Sequence, residues 1–142
     1  MPRLIRACFA LFLAAAALSC TGTRPCKSIQ SSMRGSMEPE LALRMAATKS
    51  WATPPSRAQM RRHLEELNDG VYDRCVSLPA DDAACVASLE SVLADYVAQY
   101  EACAGSKACQ MEAGERSYDR AEPCRDVLNQ IIGERDPAAR ER

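Results

Sequence analysis

The sequence predicts an all-α fold: a small disulfide-stapled three-helix bundle with a short extra N-terminal helix, over residues 37–133 of a 142-residue chain. Three observations predict it. Apolar side chains recur at steps of three or four along three successive stretches, the mark of helices with one buried face, and no stretch alternates with the period of two that a strand needs. Breakers precede or separate those stretches, at Pro54-Pro55 before the first and at Pro79 and Gly105-Ser106 between them, where turns are required. Cysteines flank the turns, and the composition explains why. Both phenylalanines, Phe9 and Phe12, lie near the N-terminus, so the bundle has only Trp51 and four tyrosines as aromatic filling. A small aliphatic core buries limited area, and each disulfide adds ~2–4 kcal/mol by restricting the unfolded chain.

Residues 1–19 read as an export signal. Arg3 and Arg6 form a cationic start, Ala7 to Leu18 an apolar run, and Ala17-Leu18-Ser19-Cys20 closes the segment; the run is shorter than the ~20 apolar residues that span a bilayer. Residues 17–20 resemble the lipobox of bacterial lipoproteins, with Ala17 standing where that family prefers leucine. The resemblance implies cleavage before Cys20 and attachment of lipid, palmitate among its acyl groups, at that cysteine. Thr21 in place of an aspartate implies the default address of such lipoproteins, the outer membrane facing the periplasm. Cysteine parity agrees. Of eight cysteines, removal of Cys8 and lipidation of Cys20 leaves the even set Cys26, Cys75, Cys85, Cys103, Cys109 and Cys124, which in an oxidising compartment implies three disulfides.

The elements follow in order. Residues 20–36, rich in Thr, Ser, Gly and Arg with Pro25, read as the lipidated cysteine and a linker. Glu38 to Lys49 makes the short extra helix, with Leu41 and Met45 on one face. Ser56 opens the first bundle helix: Ser56 and Gln59 have capping-box spacing, and Met60, Leu64, Leu67, Val71, Cys75 and Leu78 mark one face. Leu78 to Asp81 turns the chain, with Asp81 or Asp82 placed to cap the next helix. That second helix carries Cys85, Leu89, Val92, Tyr96, Tyr100 and Cys103 and is expected to be the most buried. Gly105 suits a left-handed helix end and Ser106 the following N-cap. The third helix runs from Lys107 toward Ile132, with Cys109, Ala113, Ser117, Ala121, Cys124, Leu128 and Ile131 inward. Pro123 demands a kink or break near Ala121 to Pro123. The tail over 134–142 is expected to be disordered.

Turn-flanking positions suggest the pairing. Cys75 and Cys85 are nearly level across the first hairpin, and Cys103 and Cys109 across the second. In an up-down-up bundle Cys124 shares a pole with Cys75 and Cys85. The preferred connectivity is Cys75–Cys85, Cys103–Cys109 and Cys26–Cys124. The alternative joins Cys85–Cys124 and Cys26–Cys75, clamping one helical hairpin twice. It resembles twin-cysteine hairpin proteins, although the spacings Cys85-x17-Cys103 and Cys109-x14-Cys124 depart from that family.

Catalysis is not indicated. His63 is the one histidine and lies on a polar part of its helix, where a general base would lack an oriented partner. No Cys-x-x-Cys occurs for thiol exchange or zinc, so no catalytic residue, metal or cofactor is expected. Arg57, Arg61 and Arg62 cluster, but Glu65 and Glu66 follow, and the net charge of −1 falls to −3 once the two signal arginines are removed. Nucleic acid is therefore not an expected partner. Trp51, Tyr72, Tyr96 and Tyr100 are the candidates for aromatic recognition, with Tyr96 and Tyr100 assigned instead to the core and Tyr118 to the surface. The expectation is a lipoprotein of the bacterial cell envelope, held by its lipid anchor, that binds an envelope protein as a structural or assembly factor. The alternative is an inhibitor or immunity-type regulator of a periplasmic enzyme.

Overall fold

The computed structural model describes residues 23–134, all in helices and their connections. The signal residues 1–19, Cys20 and the tail beyond 134 lie outside the described residues. In chain order the elements are α1 (residues 23–35), α2 (Met37–Thr48), α3 (Arg57–Asp69), α4 (Val71–Val76), α5 (Ala83–Ala102), α6 (Lys107–Ala121) and α7 (Arg125–Ile132), with single 3-10 turns at Ala80–Asp82 and Glu122–Cys124. The fold is an all-α bundle stapled by three disulfides.

Local signals act where the sequence places them. At the start of α3 the Ser56 hydroxyl accepts from the Gln59 backbone N–H at 3.1 Å, while the Gln59 carbonyl oxygen accepts from the Ser56 N–H at 2.8 Å, completing the capping box. Gly105 adopts φ 86°, with Ala104 also left-handed at φ 49°, and the Ser106 hydroxyl accepts from the Cys109 N–H to open α6. Pro123 sits in the 3-10 turn that separates α6 from α7, so its missing N–H costs no α-helical bond. The acidic cap is different. Asp82 precedes α5 without a side-chain cap bond, because the chain enters the helix through a 3-10 turn.

Two further expectations are corrected. Residues 23–35 are a helix, not a linker. Cys26, Ile29 and Met33 fall at helical spacing, and all three are buried in the main core beside Val71, Cys75, Leu89 and Ile131. The helical stripe is only three residues long, and its polar neighbours mask it. The single helix expected from Ser56 to Leu78 is two, interrupted at Gly70. There Arg74 turns back: its Nε–H donates to the Ile131 carbonyl at 2.7 Å, and its Nη2 donates to the Ile132 carbonyl at 3.1 Å and to that of Leu67. One guanidinium thus satisfies carbonyls at the C-terminal ends of both α3 and α7, where a cation also opposes the negative end of each helix. A Cβ on Gly70 would come within 2.1 Å of Arg74 Nη1, and one on Gly133, itself at φ 82°, within 3.0 Å of Arg74 Cζ.

The disulfides are Cys26–Cys75, Cys85–Cys124 and Cys103–Cys109, with Cα–Cα distances of 5.6, 5.5 and 5.5 Å. The preferred pairing of Cys75 with Cys85, and of Cys26 with Cys124, is therefore overturned in favour of the alternative. The reason is α1. Level position across a turn would bring Cys75 to Cys85 in a bundle of three helices, but α1 packs into the same core and presents Cys26 to Cys75. α5 packs closely along α6, and Cys85–Cys124 with Cys103–Cys109 closes that hairpin at both ends.

Apolar burial divides into two clusters. The main one takes residues from α1, α4, α5, α7 and the end of α6; the smaller one joins Leu41 of α2 to Met60 and Leu64 of α3. Glu134, expected to begin a frayed tail, instead pairs with Arg44 of α2, and its N–H donates to the Asn129 carbonyl at 3.2 Å.

Candidate functional site

The second half of α5 departs from the expected core. Val86, Leu89 and Val92 are buried, but Tyr96 and Tyr100 are only half-buried. They lie one turn apart, ring centroids 6.0 Å apart and tilted by 59°, and form the floor of an open groove between α2 and α6. The two walls do not close on each other because α2 is held elsewhere. Its Leu41 face packs on α3, and Arg57 and Arg61 of α3 reach back to Glu38 at 3.0 and 2.5 Å. Across the groove α6 is fixed to α5 by its buried Ala113 face and by Arg120 to Asp95 at 2.8 Å.

The groove encloses about 600 Å³, with Pro39, Ala42, Leu43 and Ala46 on one wall and Met111, Gly114 and Tyr118 on the other. Leu43, Met111 and Tyr118 are 63%, 67% and 60% exposed. A contiguous exposed apolar surface of this kind marks an interaction site more often than scattered apolar side chains do. Arg125 lies over the Tyr118 ring at 5.2 Å and also bonds the Tyr118 hydroxyl and Glu122, which steadies the rim. Burial, and then the neighbouring Tyr100 and Glu40, hold the Tyr96 phenol above its ordinary value of 10.0. Its phenolate is disfavoured by folding, so stability is level below that value and falls as pH rises above it. In an alkaline titration followed by phenolate absorbance, Tyr96 is expected to ionise late, and Tyr96→Phe to remove the late step. A late step that persists in Tyr96→Phe would contradict this placement.

The residues singled out in the sequence are placed as follows. All six of Cys26, Cys75, Cys85, Cys103, Cys109 and Cys124 are in disulfides. Arg57 and Arg61 are used in stitching α3 to α2, while Arg62, His63, Glu65 and Glu66 are exposed. Trp51, 60% exposed, borders a separate open cavity of about 410 Å³ with Pro55, Met60 and His63. Tyr72 packs against the main core. Sequence reasoning missed Leu43 and Met111. The available signal was that each is apolar yet off its helix's buried stripe, next to Ala42 and Ala46 in one case and Gly114 in the other.

Among the described residues no group of three or more His, Cys, Asp or Glu is placed to hold a metal ion, and no helix is long and apolar enough to cross a membrane. No family model, curated protein or solved structure matches the chain.

Proposed function

We propose that the mature chain is a lipoprotein of the bacterial envelope, anchored through lipid on Cys20 in the outer membrane facing the periplasm, and that it works by binding an envelope protein as a structural or assembly factor. The observation that carries the contact reading is the groove, where Leu43, Met111 and Tyr118 stand exposed around a mostly apolar channel. The disulfide arrangement adds a direction to it. Cys26 is bonded to Cys75, so a lipid on Cys20 lies within about 20 Å of the folded body, since an extended residue spans at most ~3.6 Å. Cys75, Cys85 and Cys124 lie toward that end, whereas Tyr96, Tyr100 and Lys107 lie toward the far end of α5, a helix of about 30 Å. The anchored end then faces the membrane, and the groove, running along the side of α6 from Lys107 to Asp119, stays open to a partner.

Cys20→Ser is expected to leave the protein unprocessed or soluble with its helical content unchanged, because the anchor lies outside the packed domain. Fractionation and mass of the variant check this; recovery in membranes at the processed mass would contradict it. Pull-down of the lipidated protein from membranes tests the contact itself. A structural complex is expected; a single hydrolase would point instead to an inhibitor.

A further inference from the structure

The groove has a charge order along its length. Lys107 stands at one end, and Glu115 and Asp119, one turn apart, stand toward the other. None of these three side chains makes an ion pair or hydrogen bond with another described residue. The arginines on the same helix are already engaged: Arg116 donates to Gln99 at 3.1 Å and lies 3.8 Å from Glu112, and Arg120 holds Asp95. Between the charged ends the α6 wall dips at Gly114, where an added Cβ would meet nothing within 4 Å. From Lys107 to Asp119 the helix rises about 18 Å at ~1.5 Å per residue.

Resting on the reading that this chain works by protein contact, we propose that the groove receives an amphipathic α-helix of its partner, apolar stripe inward, with Lys or Arg over Glu115 and Asp119 and with Asp or Glu over Lys107. The walls and floor are helices, and among the described residues there is no sheet edge to pair with an extended peptide. An extended segment would carry unpaired N–H and C=O groups into an apolar channel, whereas a helix satisfies its own backbone. The unpaired charges at both ends then select a helix with opposite charges at its two ends. A lipid acyl chain offers nothing to match them. A second copy of α6 would match in antiparallel pairing, Lys107 against Asp119, but the two Cys26 ends would then point in opposite directions and could not serve one membrane.

The test uses the purified mature protein and three synthetic helical peptides of roughly 18 residues, long enough to span the groove, that share one leucine stripe. One carries lysines at one end and glutamates at the other; the second has glutamates at both ends and the third lysines at both. In fluorescence anisotropy the dipolar peptide is expected to bind about tenfold tighter than either uniform one. E115K/D119K is expected to transfer the preference to the all-glutamate peptide. Leu43→Asp and Met111→Asp, both at exposed positions, should abolish binding while leaving the circular dichroism unchanged, and Val76→Asp, exposed but outside the groove, should not. Equal affinities, no binding, or loss of binding with Val76→Asp would overturn the proposal, as would sedimentation showing self-association relieved by Met111→Asp or an acyl chain carried in the groove. The broader reading is judged separately. If Leu43→Asp still recovers the complex from membranes, the groove assignment fails and the contact function stands; if the wild-type protein recovers none, the contact function fails.

Discussion

Replacing Cys26 and Cys75 together by alanine is expected to lower the stability of the folded domain by about 4 kcal/mol, more than any other single bridge removal. The bond closes a loop of 49 residues, against 39 for Cys85–Cys124 and 6 for Cys103–Cys109. Loop-closure entropy grows with the logarithm of length, so the two long bridges should be close in effect and the short one worth roughly 2 kcal/mol. Cys26 and Cys75 are also 1% and 3% exposed, inside the main core, so their loss removes packing as well as the link. Denaturant titration of the three double-alanine variants measures the order. If removing Cys103–Cys109 costs as much as removing Cys26–Cys75, the view of α1 as a core helix held by its disulfide is wrong.

Arg74→Met should cost about 2–4 kcal/mol, as the loss of hydrogen bonds to a charged group and the stranding of carbonyls do elsewhere. The methionine keeps the length and apolar stem but leaves the carbonyls of Leu67, Ile131 and Ile132 without the guanidinium that now binds all three. A lysine at this position can restore the charge but not the fork, so Arg74→Lys should recover only part of the loss. Gly70→Ala is expected to act in the same direction, because its Cβ would displace the guanidinium. Thermal or chemical melting checks the series. A neutral Arg74→Met would mean that the ends of α3 and α7 are satisfied by solvent alone.

What could be read from the sequence divides along the range of the interaction responsible. The cap at Ser56, the left-handed turn at Gly105 and the break at Pro123 are each fixed within four residues, and all appear where local chemistry puts them. The interruption at Gly70 is only half local: Gly70 is the C-cap of α3, as a glycine can signal, but the Arg74 bonds to carbonyls nearly sixty residues further along the chain are reported by no local rule. Residues 23–35 look like a linker because the inward apolar positions Cys26, Ile29 and Met33 are few, and Pro25, Gly35 and polar side chains surround them. Once that helix is missed, the pairing of Cys75 is misassigned with it, since the nearest visible partner is Cys85. The groove fell between two readings. Tyr96 and Tyr100 continue the core stripe of α5 in sequence, yet the helix that could have covered them, α2, is committed to α3 through Leu41 and Glu38.

The bond between Cys26 and Cys75 ties the proposed lipid-bearing N-terminus to the pole of the bundle that carries Cys85 and Cys124, leaving the groove along the side of α6 free for a partner. Mass spectrometry of the native protein, digested without reduction, tests it most directly. The expected result is an N-terminal peptide that begins at Cys20 and carries lipid, and a disulfide-linked pair of peptides containing Cys26 and Cys75. A Cys26 that is freely alkylated or joined to Cys124, or a Cys20 without lipid, would contradict it.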